Sequence, residues 1–314
     1  MTIDKVKRKV INRLVHLLDD QKDDAAYGWR DDLPPPRNRV LKVSEEIRGA
    51  DRPSAIILHG VMRRSGTNFI GELLGLHPDF CSYPGKVWEA PLLSASSHLI
   101  EAQETFLNGF QRNREHFSQT DFLPLFGSAF IAYLHSYVPQ GKRTLIKVPG
   151  VEQIWNFSNV FPNEKLIILQ RDGRDIVAST INSWPEYDFT EMCMKWKKSQ
   201  ELILKLKEEP KTSACCFVKF EDAVSDSKTF IKRLFSQLEI DDTSYPYDQV
   251  DQLPIKGSSQ IKVEGKMTWK PVEKPKTFNP IGRWRKWTDQ QKTTFKEICG
   301  ETLIRAEYAD NLNW

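Results

Sequence analysis

Several things are scarce in this 314-residue chain, and each scarcity excludes something. Charge of one sign is nearly absent in net terms, since 45 Lys and Arg stand against 42 Asp and Glu for a balance of +3. A broad cationic field of the kind a nucleic-acid binder presents is therefore excluded, and any positive patch must be local. Cysteine is limited to Cys81, Cys193, Cys215, Cys216 and Cys299, an odd number with no Cys-x-x-Cys or Cys/His spacing that suggests zinc. Reduced thiols in cytoplasm are the simplest reading. No apolar run approaches the roughly 20 residues that span a bilayer, and no uninterrupted hydrophobic stretch of signal-peptide type opens the chain. A cytoplasmic location is the resulting expectation. Internal repeats and low-complexity tracts are also lacking.

What is present is an alternation. Strand patterns at 55–59, 144–148, 165–170 and 214–220 alternate with helical patterns at 68–76, 174–183, 189–207 and 226–238. Such alternation predicts an α/β fold with a parallel sheet flanked by helices on both faces. A largely helical insertion, 85–140, separates the first and second of these core strands. It carries Trp88, Phe106, Phe110, Phe117, Phe122, Phe126, Phe130, Tyr133 and Tyr137 and is the candidate ligand pocket beside the strand ends, although such aromatics also pack merely as a cap. Thr288 and Gln291 form a capping-box pattern that opens a closing helix. Residues 1–36 stand apart from the 37–314 domain. They begin with an amphipathic pattern, Ile3, Val6, Val10, Leu14 and Leu17 on one face and Lys5, Lys7, Arg8, Lys9 and Arg13 elsewhere, and end at Pro34-Pro35-Pro36, an extended linker into the first core strand. The helix either packs on its own domain or a second copy, making a homodimer, or makes a peripheral contact with anionic lipid.

Three segments carry chemistry. Arg63-Arg64-Ser65-Gly66-Thr67-Asn68, followed by Phe69, lies between a strand and a helix, where backbone N–H groups and the positive helix end converge on one anion. It is not a Walker A loop: counted from Gly60, Ser65 occupies the second glycine position and Thr67 stands where Lys is required. A triphosphate with its metal fits poorly. Arg171-Asp172-Gly173-Arg174-Asp175 follows a second buried strand, and Ser179, eight residues after Arg171, returns on the next helix toward the same strand end. Gly282-Arg283-Trp284-Arg285 precedes the closing helix. Each segment has a plainer reading: a capped surface turn for the first, first-turn charge pairing for the second, and a surface cation–π cluster for the third. Their common order and strand-turn-helix context argue for a shared role.

Taken together, the three segments resemble the sulfotransferases that use 3′-phosphoadenosine 5′-phosphosulfate (PAPS), in a bacterial-type version of their P-loop fold. The resemblance implies that Arg64, with the Ser65 to Asn68 amides and the Ser65 and Thr67 hydroxyls, holds the 5′-phosphosulfate. It implies that Arg171 and Ser179 hold the 3′-phosphate. A covering loop, 257–280, would contribute Lys274 and Lys276, followed by the Gly282-Arg283-Trp284 segment. PAPS would be the donor co-substrate and adenosine 3′,5′-bisphosphate (PAP) the product, with no metal expected. Lys147, at the end of its strand, takes the place of the lysine that approaches the transferring sulfuryl group. The cytosolic family's Lys-Thr-His reads Lys147-Val148-Pro149 here, so its histidine base is missing, and its Arg-Lys-Gly triplet is missing too. Glu89, within Val87-Trp88-Glu89-Ala90-Pro91, is the candidate base, with His98 in reserve. The expected acceptor is a hydroxyl group on a carbohydrate, lipid or small-molecule alcohol, bound by the 85–140 insertion. Two rivals stand beside this reading: a kinase with a degenerate phosphate loop, and a nucleotide-binding protein without catalytic function.

Overall fold

In the computed structural model, residues 26–82, 89–209, 215–263 and 266–314 are described. The N-terminal amphipathic pattern, Trp88 and most of Val87-Trp88-Glu89 lie outside them. Five parallel strands form the central sheet: β1 (Ile56–Gly60), β2 (Phe80–Ser82), β3 (Arg143–Val148), β4 (Lys165–Gln170) and β5 (Cys215–Lys219), in the spatial order β2-β3-β1-β4-β5. Every residue of β1 is buried, as expected for a central parallel strand covered on both faces.

Side-chain alternation divides the core in two. Ile57, Ile146, Val148, Leu166 and Ile168 face one side, where they meet Leu123, Ile131 and Leu134 of α4 (Phe122–His135), Ile176 and Val177 of α5 (Gly173–Ser183), Trp196 and Ile203 of α6 (Phe189–Glu208), and Phe295, Cys299 and Leu303 of α8 (Asp289–Arg305). Ile56, Leu58, Leu145, Ile167 and Leu169 face the other side, against Ile70, Leu73 and Leu74 of α2 (Thr67–Gly75) and Phe230, Leu234 and Phe235 of α7 (Ser227–Leu238). The insertion contains α3 (Ser96–Gly109) as well as α4. The capping box at Thr288 and Gln291 is formed as the pattern predicts. Among the described residues, no helix is long and apolar enough to cross a membrane.

Two elements depart from expectation. The stretch between Pro34-Pro35-Pro36 and the first core strand, expected to run extended, contains α1 (Asn38–Arg48), whose N-terminus has no side-chain cap. Its buried side chains are Ser44 and Arg48, with Val40 and Leu41 half-buried, whereas Val43 and Ile47 are exposed, so its apolar residues are divided between the packed and the open face. The anchor is ionic: Arg48 Nε lies 2.5 Å from Glu164 Oε1, with both side chains buried, and the other Glu164 oxygen accepts from the Ala55 amide just ahead of β1. The second departure is β2. Its three residues form the sheet edge beside β3, so the insertion follows an edge strand instead of leaving α2 directly.

The register positions the site. Leu58 pairs with Lys147, His59 with Val148, and Gly60 with Leu169. The loop after β1, the end of β3 and Arg171 after β4 therefore emerge at one edge of the sheet, where open α/β sheets hold ligands.

Candidate active site

Beyond Gly60 the chain stays beside β4 for one more residue, with Val61 N donating to Leu169 O at 2.9 Å, and then turns. Ser65 closes the turn: its hydroxyl donates to Met62 O and accepts from Met62 N at 3.1 Å. Arg64 has φ of 76° and Gly66 φ of 99°. At Gly66 the left-handed backbone and space both demand glycine, since a Cβ there would lie 2.3 Å from the Phe220 ring. No side chain caps α2 at Gly66, so the amides of its first turn are available to an anion.

The guanidinium of Arg64 turns toward α5, where Nε donates to Ser179 Oγ at 3.1 Å. Arg283 Nη1 donates to the same oxygen at 3.1 Å and to Ser259 Oγ at 2.8 Å, and Ser179 and Ser259 are 3.2 Å apart. Ser258 lies 3.5 Å from Arg283 Nη2. Three hydroxyls and two guanidiniums thus meet at one point. Burial, aggravated by the neighbouring Arg171, pushes Arg64 down to about 10. Burial and repulsion from Arg171 and Arg64 push Arg283 down to about 9, against the pull of Asp175. Asp175, whose charge reaches Arg283, is engaged with backbone: it accepts from the amides of Gly282 at 2.8 Å, Arg283 at 2.6 Å and Trp284 at 3.4 Å. It holds the Gly282-Trp284 turn against the start of α5 and forms no ion pair with the two arginines. Under-solvated cations that repel one another are stabilised by an anion between them.

Arg171 belongs to this group but does not present itself as the sequence suggests. Its terminal nitrogens donate to Arg64 O at 2.8 Å and Pro280 O at 2.6 Å, its plane lies 4.2 Å from the Phe220 ring centroid, and its Nε is buried without a partner. It ties the strained Arg64 backbone and the end of the covering loop to β4. Desolvation lowers its proton affinity, while Asp175, Glu221 and Asp172 oppose that effect. Glu221 accepts from Asp172 N at 3.0 Å, and burial raises its carboxyl to about 7.

Lys147 lies on the α2 side of the same edge. Nζ is 2.5 Å from Asn68 Oδ1, and burial lowers its pKa, opposed by the nearby charges of Glu89 and then Glu72. Glu89 is thus close enough to Lys147 for its charge to be felt, although its side chain is exposed. His98 is on the exposed face of α3, 3.4 Å from Glu101. Arg63, Lys274 and Lys276 are exposed, and the bonds of the cradle run to Ser258, Ser259 and Arg283 instead of to either lysine. Phe69 packs edge-on to Phe220 with centroids 6.2 Å apart. Trp284 covers one side of the Arg174 guanidinium at 4.3 Å while Trp314 lies 4.6 Å from it. Thr67 and Ser65 are buried within the loop. Sequence reasoning missed Ser258, Ser259 and the bracing role of Asp175. The run Gly257-Ser258-Ser259 was the available signal, since small hydroxyl residues beside a positive-φ glycine suit a close backbone approach.

His59, read only as a strand residue, has Nδ1 2.6 Å from Gly150 O, just past Lys147-Val148-Pro149. Desolvation pushes its pKa down to about 4 despite that carbonyl and the charge of Glu152, so it is neutral near pH 7 and Nδ1 carries the donated proton. Among the described residues, no group of three or more His, Cys, Asp and Glu is placed to hold a metal ion.

The model of the Sulfotransferase family matches residues 56–244, from β1 through α7. No curated protein matches the sequence. Solved structures similar to this chain include a sulfotransferase domain of the Synechococcus PCC 7002 olefin synthase (17% identity, 80% of this chain and 95% of that one, TM-score 0.48). Two others are the sulfotransferase domain of the curacin biosynthetic pathway (15%, 80% and 98%, 0.47) and a mouse sulfotransferase complexed with PAP (13%, 87% and 94%, 0.47).

Proposed function

This chain belongs to the sulfotransferase family, and we propose that it transfers a sulfuryl group from PAPS to an acceptor hydroxyl on a carbohydrate. The observation that carries the donor assignment is the convergence of Arg64 and Arg283 on Ser179, with Ser258 and Ser259 completing the cradle and, among the described residues, no carboxylate bridging the cations. That is a site for a tightly held phosphate monoester, and it supports a 3′-phosphate there. The uncapped first turn of α2 and the Ser65 to Asn68 amides receive the other end of the nucleotide. Phe69, half-buried and braced on the buried Phe220, provides apolar surface between the two ends.

Arg64 was expected at the bridging oxygen. Its bond to Ser179 favours the 3′-phosphate cradle, leaving Lys147 and the α2 amides as the groups that meet charge developing on the departing phosphate oxygen. In the transfer, the sulfur-oxygen bond to the phosphate breaks as a bond to the acceptor oxygen forms, and Glu89 takes the proton of the acceptor hydroxyl. Asn68 holds the Lys147 ammonium in place, and His59 steadies the backbone that follows β3. Lys147→Ala is expected to lower turnover by about 10²-fold or more, and Glu89→Gln by about 10²-fold, each with PAP affinity retained. Wild-type turnover in either variant removes that residue's role.

The donor assignment is tested by thermal melting with PAP compared with ATP plus Mg²⁺. Saturation at about 100 times the dissociation constant adds about 2.7 kcal/mol and raises the midpoint by several degrees. A shift with ATP plus Mg²⁺ and none with PAP overturns the assignment in favour of a kinase-like protein.

A further inference from the structure

The covering loop carries more than the two serines that complete the cradle. It folds back as a narrow hairpin, with Ile255 and Val272 exchanging bonds at 2.8 and 3.0 Å and Gly257 N donating to Thr268 O at 3.0 Å. Trp269 lies across the turn of Gly257, where a Cβ would be 2.3 Å from the indole, and Gly257 has φ of +65°. The ring is therefore seated on bare backbone, yet it is 54% exposed, the most exposed tryptophan among the described residues. A large rigid aromatic held flat in water is a ready stacking surface.

Its position is fixed from both sides. Gly257 immediately precedes the buried Ser258 and Ser259. Met267, two residues before Trp269, meets Arg64 Nη1 at 3.4 Å and Ser183 Oγ at 3.6 Å. Lys256 pairs with Glu72 of α2 at 2.8 Å, and both charges are felt by Lys147. The indole thus packs on the backbone of Gly257, between Lys256, whose charge reaches Lys147, and the two serines of the phosphate cradle. After it, Lys270, Lys274 and Lys276 are exposed and Glu273 is the single acid between Met267 and Pro280. Pro271 and Pro275 stiffen the segment that displays these lysines.

We propose that Trp269 and the lysines after it form an acceptor subsite for an acidic carbohydrate chain. The indole stacks on the apolar face of a sugar ring while the lysines meet carboxylates on neighbouring sugars. This inference rests on the sulfotransferase reading and deepens it. It reassigns Lys274 and Lys276 from donor to acceptor, and it places acceptor recognition on the covering loop in addition to the 85–140 insertion. Lysines on flexible stems suit irregularly spaced carboxylates, and a flat ring platform favours a sugar over an acidic peptide.

The test is titration of the full chain, with PAP present, against oligosaccharides of alginate, hyaluronan and polygalacturonate, with neutral dextran and poly-glutamate as contrasts. At least one carboxylated glycan is expected to bind, more weakly as salt rises. Trp269→Ala is expected to lower that affinity by more than about tenfold and Trp269→Phe to retain most of it. Lys270→Glu is expected to weaken binding and flatten its salt dependence. The melting shift with PAP should be unchanged in Trp269→Ala. The proposal is overturned if no carboxylated glycan binds better than dextran, if poly-glutamate binds as well as the glycans, or if Trp269→Ala has no effect. Trp269-dependent glycan binding without any PAP shift would remove the donor assignment alone; a PAP shift without glycan binding would remove this subsite alone.

Discussion

Ser179 Oγ accepts from two guanidiniums at 3.1 Å each and lies 3.2 Å from a second hydroxyl, so it sits where an oxygen of a bound anion is most strongly stabilised. A hydrogen bond to a charged group contributes about 1.5–3 kcal/mol. Arg283→Ala should therefore weaken PAP binding by about 10- to 100-fold, measured by calorimetry. An unchanged dissociation constant would mean that the cradle is not the 3′-phosphate site. Arg171→Ala should act differently, because its nitrogens hold the carbonyls of Arg64 and Pro280. It should reduce thermal stability as well as PAP affinity, and a loss of affinity with unaltered melting would show direct contact with the nucleotide. At this scale the positions of Arg64, Arg171 and Ser179 at one sheet edge were legible, though not their bonds, because each lies at a strand-turn-helix junction, where local pattern fixes position. Ser258 and Ser259 were not, since they reach the site only when the covering loop closes across some 80 residues of intervening chain, by the separation from Ser179.

Elements were legible to the extent that their patterning agreed with their burial. The long α6 and α8 have apolar faces and capped starts, at Asp188 and Thr288, and their limits follow closely from those signals. In α1 the relation is mixed: polar Ser44 and Arg48 are inside, Val40 and Leu41 half-buried, and Val43 and Ile47 outside, so periodicity gave no warning of a helix. β2 is three residues long, too short for alternation to register. The ionic anchor of α1 makes a specific demand. Removing one partner leaves the other charge buried and unpaired, so Glu164→Ala is expected to destabilise the fold by about 3–5 kcal/mol, read from urea unfolding. A change below about 1 kcal/mol would mean that α1 is docked by other contacts.

Across the whole molecule, two buried groups give opposite pH responses. Burial lowers His59 to about 4, so as pH falls from 6.5 the unfolded chain takes up a proton that the folded chain refuses, and stability is lost toward acid. Burial raises Glu221 to about 7, so the folded chain keeps a proton that the unfolded chain releases above its ordinary 4.5, and stability is lost as pH rises toward 7. Each effect amounts to about 3 kcal/mol and they nearly cancel between pH 4.5 and 6.5. Urea unfolding of the native chain should therefore show little contribution from this pair over that interval. His59→Gln should become more stable as pH falls through it, and Glu221→Gln should become less stable. Parallel profiles for both variants would contradict the assigned burial.

The cradle draws its parts from Arg64, Ser179, Ser259 and Arg283, four stretches of chain that meet only in the finished fold. During synthesis on the ribosome, the sheet from β1 to β5 emerges well before Arg283 does. A nascent polypeptide halted after β5 should therefore leave PAP uncaptured, and nucleotide capture would mark the end of cotranslational assembly instead of guiding it.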